Sequence, residues 1–196
     1  LNTVACAGKR RRAVFSAKRT SNGVVLGLHE AGSHALIDLA MCPVVDGRIV
    51  SALPALRDLV SPLASRRNEV RVIATWTEAG LDVALEDVGQ SLTPELRVHI
   101  AKASAAGRFA RVSVEGDPAY ETLAPFLRMG GVDVVPPPGA FLQAVAEAEV
   151  AMADLIVAAI GKAKTVADLF SGVGAFTFRL AKASRVFAAD SDKRAI

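Results

Sequence analysis

The stretch that most constrains this chain lies near its C-terminus, Thr165-Val-Ala-Asp168-Leu-Phe170-Ser-Gly172-Val-Gly174-Ala-Phe176. Thr165 to Phe170 reads as a short buried strand, an apolar run with a β-branched start. Gly172 and Gly174 then permit a tight turn at positive φ and let a ligand come close to the backbone. Phe176 to Lys182 suits a helix whose first N–H groups point back at the turn and favour an anionic group there. Arg185 to Asp190 is a second apolar strand, and its terminal acid stands 18 residues after Gly172. A carboxylate in that place can accept hydrogen bonds from both hydroxyls of a ribose. Strand, glycine turn, helix, strand and acid together make the first half of a nucleoside-cofactor site.

The residues around the turn narrow the cofactor. A dinucleotide fingerprint wants a third Gly or Ala three positions after the second Gly, where helix and strand pack closely, and Thr177 stands there. Asp168 lies inside the strand, four residues before the first Gly. An acid at that point suits a cofactor with a positive amino group, as S-adenosylmethionine carries beside its sulfonium. S-adenosylmethionine is the expected cofactor; a NAD or flavin site, or a turn without a ligand, are the alternatives.

Composition bounds the rest. The 196 residues are 52% hydrophobic and 22% charged, enough to bury a core in one large domain or two small ones. No apolar run reaches the roughly 18 residues that span a bilayer, and without an n-region, h-region and cleavage site at its start a secreted route is not expected. Cys6 and Cys42 cannot make a disulfide framework, which fits a reducing cytoplasm. The chain is expected to be a piece of a longer protein, because a sheet of about six strands would have only its first two before Ile196, and because Leu1 is not an initiator Met.

Near the N-terminus, Lys9, Arg10, Arg11, Arg12, Lys18 and Arg19 face a single acid, Glu30, within the first 34 residues. Arg12 to Arg19 and Val24 to Leu28 read as a hairpin about Asn22-Gly23, with a third strand from His34 to Leu39. The six cations can contact nucleic-acid phosphates, or can decorate a solvated edge strand. His29, His34, Asp38 and Cys42 fit no zinc spacing, so no metal is expected. Gly47 to Ser65 has the spacing of one amphipathic helix. Glu69–Trp76 and Gly80–Glu86 form a second hairpin with one buried face each. A helix follows Thr93-Pro94 and ends at Gly107, and Arg108–Glu115 is a strand. Leu123 to Val135 holds one or two further strands. Pro136-Pro-Pro-Gly139 stops any helix and marks a boundary between residues 1–135 and 136–196. Ala140 to Ile160 has helical spacing and is expected to lie against the sheet that starts at Thr165.

This order, a basic hairpin, an α+β region, a Pro-rich link, Phe141-Leu-Gln143, a helix, Asp168-Leu-Phe-Ser-Gly-Val-Gly-Ala-Phe176 and Asp190, resembles the class I RNA 5-methyluridine methyltransferases. The resemblance covers nearly the whole chain and includes Asp38-Leu-Ala-Met-Cys42-Pro43. It implies an N-terminal α+β RNA-contacting domain followed by the first half of a Rossmann-like methyltransferase domain, with ribosomal or transfer RNA as partner. It also implies that Gln143 contacts the cofactor or the target base, and that Phe170 and Ala175 line the S-adenosylmethionine site. Val145, Ala175 and Asp190 depart from the family's commoner Asn, Thr or Asn, and Glu. The family's nucleophilic Cys and its base lie beyond the matched stretch, and neither Cys6 nor Cys42 fits that motif. No catalytic residue is therefore assigned, and this piece alone is expected to be inactive. The competing reading is a non-catalytic RNA-binding or assembly module with a vestigial nucleotide fold, motivated by the apolar Val145 and Ala175.

Overall fold

A computed structural model describes residues 9–195; Cys6 lies outside them. The first region is a seven-stranded sheet with helices on one face. Its strands are β1 (Arg12–Thr20), β2 (Gly23–His29), β3 (Leu36–Asp38), β4 (Val70–Thr77), β5 (Gly80–Glu86), β6 (Phe109–Val114) and β7 (Asp117–Glu121), in the spatial order β3-β2-β1-β4-β5-β6-β7. All neighbours are antiparallel except β5 and β6. That one parallel pair needs a crossover, supplied by α3 (Pro94–Gly107). Thr93 caps α3 by accepting the Leu96 N–H, and Pro94 enters at the first turn, where its missing donor costs nothing.

Alternation sets the main core. Phe15, Ala17, Val70, Val72, Ala74, Leu81, Val83 and Leu85 point to one face and pack on Leu53, Leu56, Leu59 and Ile100 of the helices. The expected single helix from Gly47 to Ser65 is two, α1 (Gly47–Ser51) and α2 (Leu53–Val60). Pro54 explains the break, since it offers no N–H to the preceding turn and its ring crowds the carbonyl four residues back. Asp46 caps α1 through the Arg48 N–H at 2.9 Å. The strand β7, which carries no sequence signal strong enough to be expected, holds Pro118 at the sheet's edge beside a register shift, where a missing donor is tolerated.

The second face of the sheet is also covered, by the Pro-rich link. Gly139 at φ 70° comes so close that a Cβ there would sit 3.0 Å from the Glu86 carboxylate and 3.2 Å from the Ile73 side chain. Beneath the link, Arg111 forks onto Asp82 at 2.9 and 2.8 Å, and its Nη2 also donates to the Pro136 carbonyl at 2.8 Å. Both side chains are 5% exposed. Cross-strand register puts Arg12, Thr75, Asp82 and Arg111 in one row across β1, β4, β5 and β6, so this face is polar in its middle and apolar at Ile73, Ala84 and Ala110.

A hairpin of β8 (Leu127–Met129) and β9 (Val132–Val134) precedes the link, and α4 (Ala146–Ile160), β10 (Thr165–Leu169), α5 (Thr177–Leu180) and β11 (Arg185–Ala189) follow it. The last two strands pair in parallel, Thr165 opposite Arg185. Leu127, Met129, Leu142 and Val173 form a small second core, so the hairpin before the Pro run shares its packing with the glycine turn after it. Three expectations are corrected here. Helix α4 starts at Ala146, not Ala140, because β1 captures the backbone before it: the Arg11 N–H donates to the Ala144 carbonyl at 2.7 Å, and Arg10 bridges Val145. The strand at Thr165 is not buried on both sides, for Leu169 is 66% exposed and Phe187 55%. Helix α4 meets α5, where Asp154 and Arg179 approach to 3.6 Å, rather than lying flat on β10.

Candidate cofactor and RNA site

The glycine turn leaves β10 at Phe170, whose φ of 63° is left-handed for a non-glycine residue. Such a backbone is uncommon for an aromatic side chain, and here it swings the ring outward to 85% exposure. Gly172 (φ 53°) and Gly174 (φ 88°) continue the turn. A Cβ on Gly172 would meet nothing within 4 Å, so the space above the turn is open to a ligand. A Cβ on Gly174 would lie 2.4 Å from the Phe178 ring. Gly174→Ala is expected to cost about 1–3 kcal/mol from backbone strain and to displace Phe178; a thermal melt of wild type against variant checks it.

Two acids hold this turn. Asp190 accepts the Gly172 N–H at 2.7 Å and the Asp192 N–H at 2.8 Å. Those two donors, Asp192 first, hold its carboxyl below the usual aspartate range. An ionised carboxylate has about four acceptor sites, so capacity remains for hydroxyl groups of a ligand. Asp168 accepts the Thr177 hydroxyl, which ties the first turn of α5 to the strand. That bond gives Thr177 a structural role at the position where a dinucleotide site would need Gly or Ala.

Across from the turn stands Phe141-Leu142-Gln143. A cavity of about 90 Å³ separates them, walled by Phe141 and Gln143 on one side and Phe170, Gly172, Ala175 and Phe176 on the other. The fold thus brings Gln143, Phe170, Gly172 and Ala175 together. Asp168, Gly174 and Asp190 do not line this cavity, although Asp190 touches the turn itself. At this size the cavity holds a fragment of a cofactor rather than a whole one, since whole-ligand sites are usually several hundred Å³.

The six basic residues divide sharply. Lys9 pairs with Glu147 at 2.7 Å and Lys18 with Glu69 at 3.1 Å, both at the surface. Arg11 donates to Glu149 at 2.7 Å and to the Gln143 carbonyl at 3.3 Å. Arg12 donates to the carbonyls of Ala140 and Gly139 at 3.1 and 3.3 Å. Burial first, and Arg71 second, draw its guanidinium below the usual value, but arginine stays charged. Arg19 donates to the carbonyls of Ala64 and Ser61. Arg10 is exposed, its backbone is bonded to Val44 and Asp46, and it lines one cavity together with Phe141 and Gln143. Three of the six therefore grip backbone carbonyls, and two of those three hold the segment opposite the glycine turn.

Sequence reasoning missed Asp82 and Arg111 as elements of the site's support. The available signal was one acid and one arginine in the middle of otherwise apolar strands, a pattern that asks for a partner. Among the described residues no three His, Cys, Asp or Glu side chains gather as a metal site, and no helix is long and apolar enough to cross a membrane.

A strand, glycine turn, helix and parallel strand from Thr165 to Ala189 thus follow the mixed α/β sheet in the chain. The tRNA (uracil-54, C5)-methyltransferase of Pyrococcus abyssi, solved with S-adenosyl-L-homocysteine, superposes with a TM-score of 0.71 over 97% of this chain and 50% of its own, at 16% identity. An uncharacterized RNA methyltransferase of Rhizobium meliloti is 41% identical over 193 residues, 98% of this chain and 46% of the relative. One from Brucella suis is 44% identical over 187 residues, 95% and 45%. The 23S rRNA (uracil(1939)-C(5))-methyltransferase RlmD of Tolumonas auensis is 26% identical over 163 residues, 81% and 37%. No family model matches the chain. The chain is similar to these RNA methyltransferases over nearly its whole length, and it spans about half the length of the curated relatives it matches.

Proposed function

We propose that this chain is part of an S-adenosylmethionine-dependent methyltransferase acting on C5 of uridine in ribosomal or transfer RNA. In this reading residues 1–135 contact RNA and residues 136–196 begin the cofactor domain, in a cytoplasmic protein. The observation that carries it is the placing of Gln143 against the Gly172 turn across one small cavity, with the Asp190 carboxylate bonded to the same turn. The named activities of the relatives and the cofactor product in the structural neighbour support the same reading.

The residues then take distinct roles. Asp190 accepts hydrogen bonds from the ribose hydroxyls, while its bonds to Gly172 and Asp192 fix its direction. Gly172 leaves room for the backbone to meet the methionine part, and Gly174 completes the turn. Phe170 and Ala175 line the same space, Asp168 sets the negative potential below it, and Gln143 faces the cofactor or the base. The bound cofactor would supply an electrophilic methyl group. No residue of this chain is assigned as nucleophile or base, and the chain alone is expected to transfer no methyl group.

Calorimetric titration of the longer protein with S-adenosylmethionine tests the reading. Micromolar binding is expected, weakened about tenfold to a hundredfold by Asp190→Ala, the size of a lost charged hydrogen bond. No binding by the wild type would overturn the methyltransferase reading. The non-catalytic RNA module, to which the apolar Ala175 in the cavity wall lends support, would then replace it.

A further inference from the structure

The strand β1 has a gap beside it. Its partner β2 pairs only with Ser16 to Thr20, while β4 pairs on the other side from Arg12 to Ala17. Between Arg12 and Phe15 the β2-facing edge of β1 has no ladder partner among the described residues. Antiparallel ladders alternate the side to which the backbone groups point, so Arg12 and Val14 direct N–H and C=O groups into the gap. The gap is a cavity of about 370 Å³. Val14, Leu28, Cys42 and Val44 give it an apolar wall, and Phe141 and Arg10 stand at its mouth. Phe141 is 73% exposed, with the Arg12 guanidinium 6.0 Å from its ring centre.

We propose that this cavity binds one nucleobase of a single-stranded RNA, a neighbour of the nucleotide that reacts. The proposal rests on the function given above and extends it to a second base site. Each surface of the cavity matches one part of a nucleotide. The apolar wall and Phe141 accept a base face, and stacking of this kind tolerates sequence. The strand edge offers donors and acceptors to a base edge, and Arg10 offers charge to a phosphate. A fully apolar ligand would leave the strand edge unsatisfied, and a bare anion would leave the wall unused. Phe141 and Gln143 form a wall of this cavity and of the smaller one at the glycine turn. An RNA strand that brings the reacting base up to Gln143 therefore brings an adjacent base to the gap.

The test uses the full-length protein and a short RNA containing the methylated uridine, with each base removed in turn. For the wild type, removal of one base adjacent to the target is expected to weaken binding about tenfold. Val44→Phe fills the cavity from an exposed position. It is expected to lose about tenfold against the intact RNA, and nothing further when that same base is removed. Equal affinity of Val44→Phe and wild type, or no sensitive base beside the target, overturns the proposal while the function stands. Failure of the wild type to bind RNA at all overturns the function as well. If Val44→Phe fails to bind S-adenosylmethionine and so is misfolded, alkylation of Cys42 decides: RNA should slow it several-fold, and an unchanged rate overturns the proposal.

Discussion

Replacing Asp82 by Ala is expected to lower the unfolding free energy of this chain by about 3–5 kcal/mol. Asp82 and Arg111 are both 5% exposed and meet through two bonds under 3 Å. Burial holds the carboxyl of Asp82 above its usual value; the guanidinium of Arg111 opposes that rise and Glu121 adds to it. Removing the acid strands a permanent cation beneath the Pro-rich link, with the Pro136 carbonyl left as its hydrogen-bond partner. The cost is that of an unpaired buried charge rather than of a lost attraction. Urea unfolding followed by the fluorescence of Trp76, the single tryptophan, measures it from β4 beside the pair. The double substitution Asp82→Leu with Arg111→Met is expected to recover most of the loss, because an apolar pair of similar volume removes the stranded charge. A loss below about 1 kcal/mol for Asp82→Ala would show that water reaches Arg111 and that the link is not sealed there.

Arg11→Ala is expected to cost about 3 kcal/mol while leaving the salt dependence of RNA binding unchanged. The acid it would abandon, Glu149, has a side chain only 6% exposed. The same guanidinium also holds the Gln143 carbonyl, so affinity for S-adenosylmethionine should fall along with stability. Arg10→Ala is the contrasting variant. Its side chain is exposed, so stability should be kept, and the slope of log affinity against log salt should fall by about 0.7 for one lost phosphate contact on a single strand. Binding of a single-stranded RNA to the longer protein at several salt concentrations separates the two. A drop in slope for Arg11→Ala would return that residue to the RNA surface and sever it from the support of Gln143.

These contrasts show where the sequence stopped being informative. Six cations in a short span read as one basic patch, because linear spacing carries no record of partners. Glu147 and Glu149 lie 138 residues from Lys9 and Arg11, and the carbonyls of Gly139 and Ala140 lie more than 120 residues from Arg12. Only the folded chain turns Arg11 and Arg12 from surface charge into clamps on the segment before α4. Pairing with Arg10 and Arg11 also overrode the helical periodicity from Ala140 to Val145, since backbone bridged to an extended neighbour takes extended dihedrals, as Val145 does.

What the sequence determined by itself was local. The hairpin about Asn22-Gly23, the alternating cores of β4 and β5, the cap and proline of α3, and the left-handed turn at Gly172 and Gly174 all follow from short-range stereochemistry. So does the place of Asp190 at the end of its strand. The tertiary structure decided what covers each surface. Alternation in Leu81, Val83 and Leu85 names one buried face but is silent on the other, and the row from Arg12 to Arg111 exists only once β6 pairs in parallel with β5. The gap beside β1, the seat of the link, and the meeting of Gln143 with the glycine turn arise in the same way. Each depends on register between strands far apart in the chain, which side-chain pattern does not encode and which packing of both sheet faces fixes.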